Sequence, residues 1–304
     1  MCCNVTWFNS TCCVRTTLFV AFLLGTCFYI LERRQDVWFS NLTSLPNLTT
    51  DETFQSSAGA VNLPILYYNG SLVGAFYLVD PIVAQSLLPK SMEPLTLPII
   101  GKAIAGIFMF EYRNTSIGEY SEMGLTIQAK KKGSNDSSLF GYVCDMISNI
   151  YHLHICEQKG TGLYVSTLPV TTASAKAAGL EIWGYNKYVA GIKSRWQNDG
   201  IMKFQLTSEF TYALDSLGGS PYLPSFTMSG LPFLTYSEHS GRIMRTRVHV
   251  GHKITWGGSS KLQITGKGPT SNRMSKLKLD KLSPIAVFRT DSLQAHLPRG
   301  EYVD

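Results

Sequence analysis

The chain has 304 residues, 44% of them hydrophobic, and a formal net charge of +6. That length and apolar content suit one core domain of about 240 residues with an N-terminal extension, and argue against two full domains. The charge balance excludes an obvious nucleic-acid stripe: the basic residues of Asn272 to Lys281 alternate with apolar residues and an acid, as on a solvated face, and Lys130 to Asp136 reads as a charged hairpin tip.

From Thr16 to Leu31 there are sixteen residues without a charge, bounded by Arg15 and by Glu32-Arg33-Arg34. This is a membrane-targeting segment, short for a span, with no clean small-x-small cleavage site after it, so an uncleaved anchor is expected over a cleaved signal. Five of the seven cysteines fall in the first 27 residues, and the paired ones beside the apolar run are candidates for acylation. The other two, Cys144 and Cys156, could join neighbouring strands or remain buried thiols. Arg33 and Arg34 would weakly place the following chain in the cytosol. The sequons oppose that: seven of the twelve asparagines begin Asn-x-Ser/Thr, against about two by chance. Asn41, Asn47, Asn69, Asn114 and Asn135 lie beyond the apolar segment and are the glycosylation candidates. The expectation is therefore a membrane-anchored protein with a luminal or extracellular body. Residues 1–34 form tail and anchor, 35–60 a Ser/Thr/Asn-rich stalk without periodicity, and 61–304 the folded domain.

Within that domain the pattern is one of many short strands. Tyr68 to Val79 reads as a strand pair, followed by a short helix from Pro81 to Leu88 that ends at Pro89. Ala103 to Tyr112 and Met123 to Ala129 are β-favouring apolar runs, and further strands are expected at 162–167, 189–194, 201–212, 233–237, 241–249 and 261–265. Thr172 to Gly179 has a capping threonine, an alanine-rich middle and a glycine stop, which predicts a short helix. The fold class is mainly β (α+β): an antiparallel, closed or nearly closed barrel-like sheet with few helices, able to hold a small ligand.

The expected helix delivers the chain into Gly179-Leu180-Glu181-Ile182-Trp183-Gly184-Tyr185-Asn186-Lys187-Tyr188, which sets one lysine among aromatic and apolar neighbours. An exposed lysine titrates near pH 10.4, and burial can lower that by about 3 to 5 units, turning the ammonium into a nucleophilic amine. The same residues also read as an ordinary turn with Lys187 in water. Other chemistries are poorly supported. His152 and His154 share a strand face without a third metal ligand, His249 and His252 flank a glycine turn, and Ser166, Ser174 and Ser229 lack a nucleophile-elbow context. Gly257-Gly258-Ser259-Ser260 lacks the lysine and helix of a phosphate loop and reads as a hairpin tip. Neither metal nor cofactor is expected.

Leu87-Leu88-Pro89, Ile117-Gly118-Glu119-Tyr120-Ser121-Glu122, the Gly179 to Lys187 run, Gly268-Pro269-Thr270 and Leu297-Pro298-Arg299 occur in this order over about 240 residues. In them the chain resembles the acetoacetate decarboxylase family. The resemblance implies that Lys187 is the Schiff-base lysine and that Glu122 is the active-site glutamate that assists proton transfer. It implies a small keto-acid substrate and the possibility of a homo-oligomer. Glu181 is read as structural or supporting, with Tyr120, Tyr185, Tyr188 and Glu111 as further candidates around the substrate. The chain departs from the family in three places. Tyr188 replaces the second lysine of a pair, the family's arginine falls near Gly70, and another family glutamate falls near Ile107, with Glu111 the closest carboxylate. The implied activity is decarboxylation of acetoacetate or a related β-keto acid. An imine-dependent aldolase or dehydratase and a non-catalytic ligand-binding barrel are the alternatives.

Overall fold

The computed structural model describes residues 52–97, 100–134, 161–196, 202–216, 226–229, 233–251 and 253–303. The strands are β1 (Glu52–Ser56), β2 (Gly59–Leu63), β3 (Ile65–Val79), β4 (Met92–Pro94), β5 (Thr96–Leu97), β6 (Lys102–Thr115), β7 (Tyr120–Lys131), β8 (Thr161–Val170), β9 (Lys187–Val189) and β10 (Ile192–Trp196). They continue with β11 (Met202–Leu206), β12 (Phe210–Ser216), β13 (Phe226–Ser229), β14 (Phe233–His239), β15 (Arg242–Gly251), β16 (Lys253–Trp256), β17 (Ser259–Ile264), β18 (Ala286–Leu297) and β19 (Glu301–Tyr302). Among the described residues the helices are α1 (Pro81–Gln85), α2 (Ala173–Trp183) and α3 (Pro269–Lys276), with a 3-10 turn at Leu279–Lys281.

The protein is mainly β with few helices, as its short apolar runs and turn punctuation imply. The expected antiparallel, closed or nearly closed barrel-like sheet is met only in part: the sheets do not close into a barrel, and β8 pairs in parallel with both β9 and β14. A 13-stranded sheet runs β13-β16-β18-β3-β6-β7-β8-β14-β15-β19, with β4, β5 and β9 added along it, and a separate four-stranded sheet runs β10-β11-β12-β17. The large sheet has edges at β13 and β19, and it curls far enough that β15 also pairs with β18 through Val250 and Ala295. Irregular register in β18 after Thr290 makes this branching possible, because the strand pairs with β16 before the irregularity and with β15 after it.

The two faces of the curled sheet bury different cores. One face packs against the four-stranded sheet through Val73, Ile107, Met109 and Leu125 on one side and Phe204, Phe210 and Tyr212 on the other. The opposite face carries Leu72, Phe108 and Leu168, covered by α2 and the β1–β2 hairpin. That hairpin begins at Glu52, so residues 52–60 of the segment read as stalk belong to the fold. Its anchor is Glu181 of α2, whose carboxylate accepts from the Ser57 backbone N–H at 3.0 Å and from the Ser57 hydroxyl.

Several expected elements shift for local reasons. Residues 65–79 form one long strand and no hairpin, because Asn69-Gly70 is an irregularity in register against β6 and not a turn. The run expected as one strand over 201–212 splits, within its described residues, into β11 and β12 at a turn with Ser208 at φ 67°. Gly257-Gly258, both at positive φ, link β16 in the large sheet to β17 in the small one and so do not tip a hairpin. Helix α2 starts as predicted, with the Thr172 hydroxyl accepting from the Ala175 N–H at 3.3 Å, but passes through Gly179 and stops at Gly184 (φ 64°). Among the described residues no helix is long and apolar enough to cross a membrane. The 16–31 segment, Asn41, Asn47, Asn135, Cys144, Cys156, His152, His154 and His252 lie outside them. Asn69 and Asn114 are exposed.

Gly184 must be left-handed to turn the chain out of α2, and a Cβ there would sit 2.5 Å from His239 Cβ and 2.6 Å from Glu238 O. Gly184→Ala is expected to destabilise the fold by about 1–3 kcal/mol through backbone strain and this clash, measured by urea unfolding.

Candidate active site: a buried lysine–glutamate pair

After Gly184 the chain runs three residues to β9, which pairs in parallel with β8 so that Lys187 lies beside Leu168. The Asn186 side-chain amide donates to Ser166 O at 3.1 Å, and the Leu168 N–H donates to Asn186 O at 3.0 Å, fixing the approach. On the other side of β8, Glu122 of β7 is in register with Val170 and Phe110. Lys187 Nζ and Glu122 Oε2 meet at 2.7 Å, with their side chains 6% and 9% exposed. Lys187 is therefore a buried group and not the solvent-facing turn residue its local sequence also allows. The ammonium additionally lies 5.8 Å from the centroid of the Tyr120 ring.

Helix α2 gives Lys187 its route inward. A Cβ on Gly179 would fall 2.3 Å from both Cδ and Cε of Lys187 and 2.9 Å from Nζ. Mid-helix glycine is unfavourable by about 1 kcal/mol relative to alanine, and here it makes room for the lysine stem.

The pair lies on the wall of a cavity of about 100 Å³. Tyr67, Phe108, Phe110, Tyr112 and Tyr185 form an aromatic arc around it, and aliphatic side chains of β8, β15 and β18 line it together with Thr126 and Thr235. Among the described residues that line it, Glu122 and Lys187 are the charged ones. The hydroxyls of Tyr67 and Tyr120 are 3.0 Å apart, and the Tyr185 hydroxyl meets Thr235 Oγ1 at 2.8 Å. Burial, reinforced by the Glu122 charge, pushes Tyr67 and Tyr112 far above the usual phenol range. Burial does the same to Tyr120, with the neighbouring Tyr67 and Glu122 adding to it, and pushes Tyr185 up to about 12. These hydroxyls stay protonated donors at any physiological pH.

The other candidates separate by strand parity. Tyr188 points to the opposite face from Lys187: its hydroxyl donates to Glu209 Oε1 at 2.8 Å and lies 2.7 Å from Thr270 Oγ1. Glu209 in turn accepts from the Thr270 and Ser271 N–H groups at the start of α3. A cation at position 188 would thus not face the pocket, so the replacement of a second lysine by tyrosine does not alter the amine's surroundings from within the cavity. Glu111 also faces away, accepting from Ser194 Oγ at 3.2 Å and Arg113 Nη1 at 3.4 Å, and Ile107 is buried in the opposite core. Gly70 does lie on the pocket side of β3, where a Cβ would come within 2.8 Å of Glu111 O and 3.4 Å of Tyr112 Cδ1. Glu181 serves the hairpin. Tyr67, Tyr112 and Thr235 were not singled out from sequence; the alternation Phe108-Phe110-Tyr112 is the one local signal that marks their face.

The curled β-sheet thus holds one amine and one carboxylate on the wall of a largely aliphatic and aromatic cavity. A family model described as acetoacetate decarboxylase (ADC) matches residues 49–208, and the chain belongs to that family. Comparison with curated protein sequences gave no match. Among solved structures, acetoacetate decarboxylase from Legionella pneumophila is similar at 18% identity and TM-score 0.50, over 83% of this chain and 90% of that one. A second acetoacetate decarboxylase structure is similar at 15% identity and TM-score 0.54, over 80% and 90%. The enduracididine biosynthesis enzyme MppR complexed with pyruvate is similar at 15% and 0.50, over 79% and 90%. At these identities the likeness is one of fold.

Removing one partner of a buried pair strands a desolvated charge, whereas replacing both by apolar residues does not. Lys187→Met or Glu122→Leu alone is expected to destabilise by about 3–5 kcal/mol, and the double variant to recover most of that loss, read from a denaturation cycle. Alkaline stability follows from the tyrosines. Their folded values lie above the unfolded value near 10, so their contribution is complete below about pH 10 and is lost as pH rises further, because the unfolded chain sheds those protons first. Tyrosinate absorbance from these four residues should therefore emerge together with unfolding and not before it.

Proposed function

We propose that the protein is a Schiff-base-forming carbon–carbon lyase, with Lys187 as the imine nucleophile and Glu122 as its proton partner. The observation that carries this reading is the 2.7 Å contact between the two inside an apolar cavity. A buried ion pair is an expensive way to stabilise a core, often no better than apolar residues of the same volume, so its presence on a cavity wall is better accounted for by chemistry. Glu122 is within reach to take a proton from the Lys187 ammonium and return it to the departing oxygen. The resulting iminium draws in the electrons released when a bond to the neighbouring carbon breaks.

Decarboxylation of acetoacetate or a related small β-keto acid is the reaction that family membership suggests. The second reading is an aldol or dehydration reaction on another keto acid, favoured by the fold shared with MppR complexed with pyruvate. Tyr185, Tyr120, Tyr67 and Tyr112 serve in both readings as neutral donors that shape the cavity. The apolar 16–31 segment and the exposed Asn69 and Asn114 support a membrane-anchored glycoprotein with its body on the luminal or extracellular side.

Borohydride reduction in the presence of acetoacetate or pyruvate should leave a secondary amine on Lys187, located by peptide mass mapping, and Lys187→Met should abolish the adduct and any turnover. Unmodified Lys187 with both keto acids and with neutral ketones would rule out the covalent mechanism.

A further inference from the structure

Strand β9, which carries Lys187, is three residues long and pairs with β8 alone among the described strands. Val189 at its end is exposed. A strand so short, held along one edge, gives a side chain little precision, yet a misplacement of about 1 Å can cost on the order of 100-fold in rate. The residue beside the lysine supplies a second hold. Tyr188 leaves the opposite face of β9, half-buried, and its hydroxyl donates to Glu209 Oε1 at 2.8 Å. That commits its one hydrogen, so at the 2.7 Å contact with Thr270 Oγ1 the threonine is the donor. Burial pushes the Tyr188 phenol above its usual range, which keeps it a donor at any physiological pH.

Glu209 is itself fixed. Its side chain is buried, and Oε2 accepts from the Thr270 and Ser271 N–H groups at 2.9 and 2.8 Å, in the first turn of α3, where the helix favours a carboxylate. Its carbonyl oxygen accepts from the Thr265 and Gly266 N–H groups at 2.9 and 3.0 Å, and its own N–H donates to Leu206 O at 3.1 Å. A Cβ on Gly268 would fall 2.3 Å from Glu209 Cδ, so a bare backbone there leaves the carboxylate its place. The chain after β9 is tied to the same turn, the Thr207 N–H donating to Gly191 O at 2.8 Å. A buried carboxylate away from the cavity costs free energy unless its hydrogen bonds are made. Those it makes from its side chain, among the described residues, go to the start of α3 and to the neighbour of Lys187.

Resting on the reading of Lys187 as imine nucleophile, we propose that Tyr188 is a positioning residue for it: the Glu209–Tyr188–Thr270 network pins β9 from behind and so delivers Lys187 Nζ to Glu122 and to the substrate carbonyl carbon. Tyr188 touches no reacting atom. The step it serves balances within the site. The ammonium gives up two of its three protons, the first by way of Glu122; both end on the carbonyl oxygen, which leaves as water, and the iminium nitrogen keeps the third. A loosened β9 slows these transfers without changing what the cavity wall binds.

The test uses the full chain. Adduct formation on Lys187 is timed under excess cyanoborohydride over a range of pyruvate and, separately, acetoacetate concentrations, with total adduct counted by mass spectrometry, the decarboxylated form included. Each series yields a maximal rate and a half-saturating concentration, and each variant is first shown to be folded by thermal melting. In Tyr188→Phe the maximal rate should fall at least about 10-fold while the half-saturating concentration stays within about 2-fold. Thr270→Val removes one hydroxyl and leaves both N–H donors to Glu209; it should lower the maximal rate less. The double variant should be no slower than Tyr188→Phe, because the Thr270 hydroxyl acts through Tyr188. Should Tyr188→Phe fail to fold, Thr270→Val carries the same reading. An unchanged maximal rate in the folded variant, whatever its melting temperature, would overturn the positioning role and leave the imine intact. A raised half-saturating concentration at unchanged maximal rate would overturn it as well, by assigning Tyr188 to ligand binding. No adduct on Lys187 of the unsubstituted protein with either acid would instead overturn the imine reading, and the positioning role with it.

Discussion

The buried contact between Lys187 and Glu122 is the constraint on which the rest of the molecule depends. Two charges withdrawn from water must be held close and in good geometry or the fold loses more than it gains. The surrounding structure meets that demand from several directions. Glu122 is fixed in the middle of the large sheet between β6 and β8. Lys187 reaches it from a three-residue strand, its stem passing over the bare backbone of Gly179. Helix α2 ends at Gly184 so that the chain reverses at the right point, and Trp183 donates to Pro298 O at 2.9 Å, tying that corner to the chain after β18.

The curled sheet separates stability from chemistry by its period of two. Val73, Met109 and Leu125 point into a core shared with the four-stranded sheet, while their neighbours Leu72, Phe108, Phe110 and Gly124 point toward the cavity or the core around it. Adjacent residues thereby do unrelated work. Lys187 faces the cavity, whereas Tyr188 is turned to the buried Glu209 carboxylate and the start of α3. The same geometry gathers the scattered motifs: Gly268-Pro269-Thr270 receives Glu209, Leu297 lines the cavity, and Pro298 holds Trp183.

Family membership over residues 49–208, and structures alike at 15% and 18% identity, establish a shared architecture. Lys187 and Glu122 meet at 2.7 Å on the cavity wall. Around them the cavity wall is apolar and aromatic, with tyrosine hydroxyls that burial keeps neutral. A pocket can retain an imine-forming amine while its preference among carbonyl compounds changes, because the amine's reaction is common to all of them and the wall decides which one enters.

Much of this was legible in the amino-acid sequence. Period-2 apolar runs identified most of the central strands, the Thr172 cap and alanine run identified the start of α2, and the order of short motifs singled out Lys187 and Glu122. Strand β18 escaped because Thr290-Asp291-Ser292 interrupts its alternation at the irregularity in its pairing. The helix stop was assigned to Gly179 and lies at Gly184, since a glycine that ends a helix and one that makes room for a side chain are the same letter. Which face each residue presents was decided only by the tertiary structure. Parity along a strand is set by register with partners distant in sequence, so the removal of Tyr188 and Glu111 from the cavity, and the arrival of Tyr67 and Tyr112 in it, required the sheet to be assembled. Local sequence left Lys187 either in water or buried. The curl of the sheet, which brings β7, β8 and β9 together around one apolar space, decided for burial.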